Sequence, residues 1–195
     1  MTTLINGGTV VSATGSSLQD VLVDGETIVA LLAPGSAALG PIDADTVIDA
    51  TGKYVIPGGV DAHTHMELPF GGTFASDTFE TGTRAAAWGG TTTIVDFAVQ
   101  AFGQRVQDQL QVWHEKAAGN CAIDYAFHQI IGDVNDESLK AMDELIDEGV
   151  TSFKLFMAYP GVYLSSDGQI LQAMQTAAGN GGLIMMHCEN GSAID

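Results

Sequence analysis

Two patterns of apolar and polar positions divide the chain. Up to about residue 56 the apolar runs are short and are interrupted at Gly7-Gly8, Asp24-Gly25 and Pro34-Gly35. Val21 and Val23 lead into Asp24-Gly25, and Ile28 and Val29 follow, which is the pattern of a β-hairpin. No helical period is visible, so residues 1–56 are predicted to be β. After Pro57-Gly58-Gly59 strands alternate with helices. The predicted strands are 58–65, 91–97, 122–130, 151–157 and 183–188. Val106, Leu110, Trp113 and Ala117 share one face of a helix over 104–118. Leu139, Met142, Leu145 and Ile146 do the same over 136–148, ahead of a capping Gly149. Ile170, Leu171 and Met174 repeat it over 167–179. Asp77 and Glu80 form a candidate capping pair for a further helix that ends at Gly89-Gly90.

Successive strand starts differ by 33, 31, 29 and 32 residues, about the size of a parallel βα crossover unit. Such a series closes either as an open doubly wound sheet or as an eight-fold barrel, and periodicity alone allows both. No matching residues recur between the units, so the spacing reflects a structural unit rather than a sequence repeat.

Composition narrows the function classes. The chain has 195 residues, 46% hydrophobic and 15% charged, with 24 Gly and 5 Pro. That is enough apolar material for a core, in one domain or a domain with a fragment. Six Lys and Arg face 24 Asp and Glu, a formal charge of -18. So cation-poor a surface weighs against nucleic acid and anionic membrane as partners. The charge itself reads as solubility. Cys121 and Cys188 are too few and too far apart for a disulfide framework, and they fit a reducing cytoplasm. The N-terminus lacks the basic-then-apolar order of a secretory signal, and no apolar run reaches the length of a membrane span.

The chemistry concentrates at predicted strand ends. In Asp61-Ala62-His63-Thr64-His65, alternation puts Asp61, His63 and His65 on one face. Two imidazoles there can hold one metal ion, with Asp61 orienting them. An HxH alone is moderately specific, and two polar residues at a strand end is the bland alternative. Lys154 lies in the apolar strand Thr151-Ser152-Phe153-Lys154-Leu155-Phe156-Met157. A buried amine needs a partner or loses its charge. It either snorkels to the sheet end or, with a depressed pKa, reacts with carbon dioxide to a carbamate whose two oxygens can bridge metals. His187 ends Leu183-Ile184-Met185-Met186-His187. Alone it would be a core histidine; as the third strand of the series to end in a possible ligand it gains weight. His114 reads as solvated, His128 as core or as support for the ligands, and Cys188 as a small core residue. No GxGxxG follows the first strand, and there is no Walker loop or GxSxG elbow.

Taken together these segments resemble the dihydropyrimidinase/D-hydantoinase family of cyclic amidohydrolases. Asp61-Ala62-His63-Thr64-His65-Met66-Glu67-Leu68-Pro69-Phe70-Gly71-Gly72 resembles its first metal motif, and Gly89-Gly90-Thr91-Thr92-Thr93 with Asp96-Phe97 its second strand. Phe153-Lys154-Leu155-Phe156-Met157-Ala158-Tyr159-Pro160-Gly161 is similar to the carboxylated-lysine strand, and Met186-His187-Cys188-Glu189-Asn190-Gly191 to the third motif. The resemblance implies an α/β fold, a (β/α)8 TIM-type barrel of which residues 57–195 form about the first five units, with 1–56 part of a β-sandwich. It implies two divalent metal ions, zinc foremost. His63 and His65 would bind one, His187 would help bind the second, and N6-carboxylated Lys154 would bridge them. Tyr159 would be the catalytic oxyanion donor. Met66, Leu68, Phe70, Phe156 and Tyr163 would line the substrate's exocyclic side. The implied reaction is hydrolytic opening of dihydropyrimidines or hydantoins to N-carbamoyl amino acids, by a cytoplasmic homotetramer in pyrimidine degradation.

The family continues for three more strands, which carry a further metal histidine, an aspartate and the ring-amide contacts. The chain is therefore expected to be the N-terminal part of such an enzyme, inactive alone. An allantoinase or dihydroorotase shares the metal residues, but the segment from Met66 to Gly72 and the setting of Tyr159 fit dihydropyrimidinase better. A non-catalytic, assembly-forming homologue would lack His63, His65, Lys154 and His187.

Overall fold

The structure, a computed structural model, describes residues 1–36 and 42–194. It separates into two compact units, Met1–Gly58 and Gly59–Asp195. The first is a five-stranded sheet. β1 (Thr2–Ser12) lies between β2 (Gly15–Asp24), antiparallel, and β4 (Thr46–Asp49), parallel; β3 (Thr27–Leu32) continues beyond β2, and β5 (Tyr54–Val55) pairs with the second half of β1. The Asp24-Gly25 turn works because Gly25 adopts φ 58, a conformation that costs a residue without a Cβ little.

The second unit holds five parallel strands. These are β6 (Gly59–Thr64), β9 (Thr91–Val99), β10 (Asp124–Ile130), β11 (Ser152–Phe156) and β12 (Leu183–His187), and they neighbour one another in that order. A two-stranded ribbon, β7 (Pro69–Phe70) with β8 (Thr73–Phe74), follows β6. The crossovers are α1 (Phe79–Trp88), α2 (Val106–Ala117), α3 (Asp136–Asp147) and α4 (Asp167–Asn180), and a last turn, α5 (Gly191–Ile194), follows β12. The strand order decides between the two closures left open by periodicity. A doubly wound sheet reverses direction at a switch point, whereas here every strand sits beside its sequence neighbour. Given the right-handed crossovers that parallel βαβ units take as a rule, that order places the helices on one side, as in the first five units of a (β/α)8 barrel.

The core fills the space between sheet and helices. Trp113 and Leu110 of α2, Met142 and Leu145 of α3 and Ala173 and Ala177 of α4 pack with Ile94, Phe127, Phe153 and Leu155. α1, α3 and α4 start at side-chain caps, whereas α2 has none at Arg105, and α1 is capped one residue later than Asp77 and Glu80 suggest. Thr78 accepts from the Thr81 amide and the Thr81 hydroxyl accepts from the Thr78 amide, so a threonine pair forms the box. Among the described residues no helix is long and apolar enough to cross a membrane.

One buried acid joins three elements. Asp96 on β9 is 1% exposed. Its Oδ2 accepts from the Thr64 hydroxyl at 3.0 Å and the Met66 amide at 2.7 Å, and its Oδ1 accepts from the Phe97 amide at 2.8 Å and the Trp113 indole at 3.1 Å. Burial pushes this carboxyl above its ordinary range, and the four donors pull it back. Asp96→Ala would strand those donors in the core. At ~1 kcal/mol or more for each of the four stranded donors, urea unfolding should show a loss of about 4 kcal/mol or more. A variant within experimental error of wild type would show that water replaces the carboxylate.

Candidate metal and substrate site

Strand β6 does not run regularly into its histidines. Asp61 pairs with Ile94 and Thr64 with Asp96, so three steps on β6 face two on β9. This is a bulge, one extra residue that breaks the two-residue alternation. Asp61 therefore leaves the face that sequence alternation gave it. Its carboxylate accepts from the backbone amide of His63 at 3.1 Å rather than from a ring nitrogen. His63 and His65 do meet: their Nε2 atoms lie 3.2 Å apart.

The aromatic ring of Phe97 forms the floor beneath them. Its centroid is 4.7 Å from that of His63, 4.9 Å from that of His65 and 4.7 Å from that of His128. The Lys154 Nζ sits 4.4 Å above the same ring and 5.1 Å from the Phe156 ring. Lys154 is 8% exposed, and among the described residues no carboxylate lies within ion-pair distance of it. Cation–π contact only partly offsets the lost hydration of an ammonium. Burial accordingly lowers its pKa. His65 is pushed down to about 4, first by burial and then by Lys154 and His63. His63 and His128 shift the same way, burial leading. These shifts favour the neutral form of the three imidazoles at pH 7.

His63, His65, Leu68, Phe70, Ile130, Lys154, Phe156, Tyr159, Tyr163 and His187 line one cavity of about 310 Å³. Met66, expected to line it as well, does not. It is 9% exposed within the core, its thioether against Gly82 of α1, because the position after His65 turns to the helix side where Asp96 holds its amide. Cys188 also departs from expectation: it lies past the end of β12 and is exposed. His114 is exposed on α2, as read from the sequence.

Tyr159 stands on a strained backbone with φ 63, uncommon for a residue with a Cβ. Its carbonyl accepts from the amides of Val162, Tyr163 and Leu164 at 3.0–3.2 Å, which stabilises the turn. Its ring touches Phe70 of the β7–β8 ribbon at 5.7 Å, Phe156 at 6.0 Å and His187 at 5.5 Å. His187 stacks on Phe156, but its Nε2 contacts Glu189 at 3.1 Å.

Two donors of the His63–His65 pair suit a divalent ion. Ligands at ~2.0 Å around a tetrahedral ion are about 3.3 Å apart, close to the 3.2 Å between the two Nε2 atoms. The Nδ1 of His65 is buried without a partner. Among the described residues no three His, Cys, Asp or Glu side chains close into one cluster, so the pair brings together two donors only. Asp96, Phe97 and the contacts of His128 were not legible as parts of the site. An acid inside the apolar strand Thr91–Val99 was the available signal for Asp96.

Comparison with known proteins places this geometry. The model of the amidohydrolase family matches residues 54–195. The chain is 66% identical over 193 residues to a D-hydantoinase of Streptomyces coelicolor, covering 99% of this chain and 41% of the relative. It is 45% identical to a D-hydantoinase of Geobacillus stearothermophilus, again spanning 41% of that protein. Among solved structures, the dihydropyrimidinase of Brevibacillus agri superposes with a TM-score of 0.94 at 45% identity, over 100% of this chain and 41% of that one. The L-hydantoinase (dihydropyrimidinase) of Arthrobacter aurescens gives 0.81 at 28% identity, over 98% of this chain and 42% of that one. The chain thus spans about two fifths of the length of the relatives it matches. With its histidine pair, buried lysine and sequential parallel strands, it belongs to the amidohydrolase family, whose members are generally metal-dependent.

Proposed function

We propose that the full-length protein carrying this chain hydrolyses the cyclic amide ring of 5,6-dihydropyrimidines or hydantoins to N-carbamoyl amino acids. The observation that carries the reading is the single cavity shared by His63, His65, Lys154, Tyr159 and His187, in a chain 66% identical to a D-hydantoinase. His63 and His65 would hold one divalent ion, zinc foremost. His187, once released from Glu189, would help hold a second, and carboxylated Lys154 would bridge them. When bound, such a metal pair acidifies a water and polarises a carbonyl at neutral pH.

The chain's own residues do the rest. The depressed pKa of Lys154 raises its share of neutral amine. That amine attacks carbon dioxide, an N–C bond forms, one amine proton passes to solvent, and an anionic carboxylate with two oxygens remains. Tyr159, on its stiff turn, would donate its hydroxyl proton to the ring carbonyl oxygen as negative charge builds there. Leu68, Phe70, Ile130 and Phe156 give the cavity an apolar wall that excludes water and suits an apolar ring substituent. Arg84 and Arg105 are the chain's only arginines and neither lines the cavity. Once Lys154 is carboxylated, the cavity residues of this chain include no cationic side chain to pair with a ring bearing its own carboxylate, such as dihydroorotate. By the same likeness we include a homotetramer and a cytoplasmic role in pyrimidine degradation.

Metal analysis with assays on dihydrouracil and hydantoin tests the reading. Wild-type full-length protein should carry metal and open at least one ring, while Lys154→Arg and Lys154→Ala should lose both properties. Arginine keeps its charge and forms no carbamate. Short carboxylic acids should restore part of the activity of the Ala variant. Normal metal content in the Arg variant would remove the bridging role. Tyr159→Phe should lower kcat on the order of 10²–10³-fold, with KM and metal content near wild type, because the hydroxyl acts chiefly in the transition state. Near-normal kcat would mean the hydroxyl is not used.

The lowered histidine pKa values set a pH dependence. A histidine that titrates near 6.5 when unfolded but near 4 when folded contributes stability that is present above 6.5 and lost as pH falls towards 4. Urea midpoints of the metal-free protein should therefore drop between pH 6.5 and 4, and the slope should flatten in His65→Asn. An identical slope in the variant would assign the loss to other groups.

A further inference from the structure

His128 is left over by the proposed chemistry and does not line the cavity, yet it packs directly behind the site. It stands on β10 beneath the ligand candidates, its ring centroid 4.7 Å from that of Phe97. Its Nε2 is 3.0 Å from the carbonyl oxygen of Ala62, and its Nδ1 is hydrogen-bonded to the Ser152 hydroxyl. A carbonyl only accepts, so Nε2 carries the proton. Nδ1 is then bare in the neutral ring and accepts from Ser152.

Both partners are placed where the sheet's own bonding is interrupted. Ala62 lies inside the β6 bulge, between Asp61 and Thr64, where pairing with β9 slips. A backbone carbonyl released from its ladder needs another donor, and His128 is that donor. Ser152 opens β11, two residues before Lys154. The β10–β11 ladder begins only at Gln129 and Phe153, so the His128–Ser152 bond ties these strands one pair earlier. One imidazole thus links the residue before His63 to the residue two before Lys154.

We propose that His128, with Ser152 as its orienting partner, is a positioning residue: it holds the β6 bulge in the shape that brings the Nε2 atoms of His63 and His65 together, and fixes that pair relative to the strand of Lys154. It is not itself a ligand, since its two nitrogens are committed to Ala62 and Ser152. Through the bulge it acts as groups behind metal ligands do, where substitution typically costs 10–100-fold in affinity. The inference rests on the metal-binding reading above, and its test separates the two.

The test compares His128→Leu, His128→Gln and Ser152→Ala in the full-length protein, reading zinc affinity by competition with a chelating dye, thermal melting of the metal-free form, and crystal structures. His128→Leu removes both bonds and should weaken zinc binding on the order of 10–100-fold. His128→Gln keeps an N–H near the Nε2 position and should restore most of the affinity; a purely space-filling role would not favour Gln over Leu. Ser152→Ala should weaken binding in the same direction and decides the matter if the Leu variant does not fold. Zinc affinity unchanged in both His128→Leu and Ser152→Ala would overturn the inference. A wild-type protein that binds no metal would overturn the metal reading alone. The crystal structure of the Leu or Ala variant would then decide this one: separated His63 and His65 Nε2 atoms support it, and an unchanged pair overturns it.

Discussion

A strand that leaves its ladder must find new partners for the backbone groups it releases. β6 does this at the point where the site begins. The extra residue between Asp61 and Thr64 frees the His63 amide and the Ala62 carbonyl, and the chain beyond it exposes the Met66 amide. Asp61, His128 and Asp96 satisfy these groups in turn. Each lies on a different element or residue step, so the bulge is held from several directions. The direction of His63 and His65 follows from that restraint more than from strand alternation.

Burial of Lys154 depends on the same framework. The amine lies between the faces of Phe97 and Phe156, and Phe97 is fixed through its neighbour Asp96, whose carboxylate binds the Phe97 amide. Neutral imidazoles beside an amine whose charged form is disfavoured by burial make a site that tolerates added positive charge better than a set of fixed cations would. The acidic excess of the chain does not enter this account, because no carboxylate lines the cavity.

Much of this was legible in the sequence, and the failures share a cause. The five βα units, the buried faces of α2 and α3 and the meeting of His63 with His65 follow from periodicity of 3.6 or 2; the face expected for α4 does not, since Leu171 and Met174 are exposed and Ala173 and Ala177 pack inward instead. Nor does the choice of a barrel over a doubly wound sheet, since strand order is a property of long-range pairing. Asp61 was misplaced because the bulge that follows it breaks the alternation with His63, and Met66 because it follows His65 on the helix side of the chain rather than the cavity side that the family resemblance implied. Cys188 was misplaced because the strand stops at His187. The role of Asp96 requires knowing that β6, β9 and α2 meet at one point, and no local pattern encodes that.

Strain in the second unit is confined to the loops that leave the strands. Glu67 and Tyr159 are the non-glycine residues with positive φ among those described, at 53° and 63°. Glu67 follows the histidine motif, and its carboxylate receives the first amide of α1 at 3.4 Å, a weak contact but one aligned with the helix dipole. Tyr159 follows the lysine strand and has three amides on its carbonyl. A left-handed residue costs roughly 1–2 kcal/mol, and these bonds offset it locally. The strands can then remain regular while the loops present side chains at angles a strand cannot reach. In this arrangement the phenol of Tyr159 and the ring of Phe70 meet edge to face in the cavity wall, their centroids 5.7 Å apart.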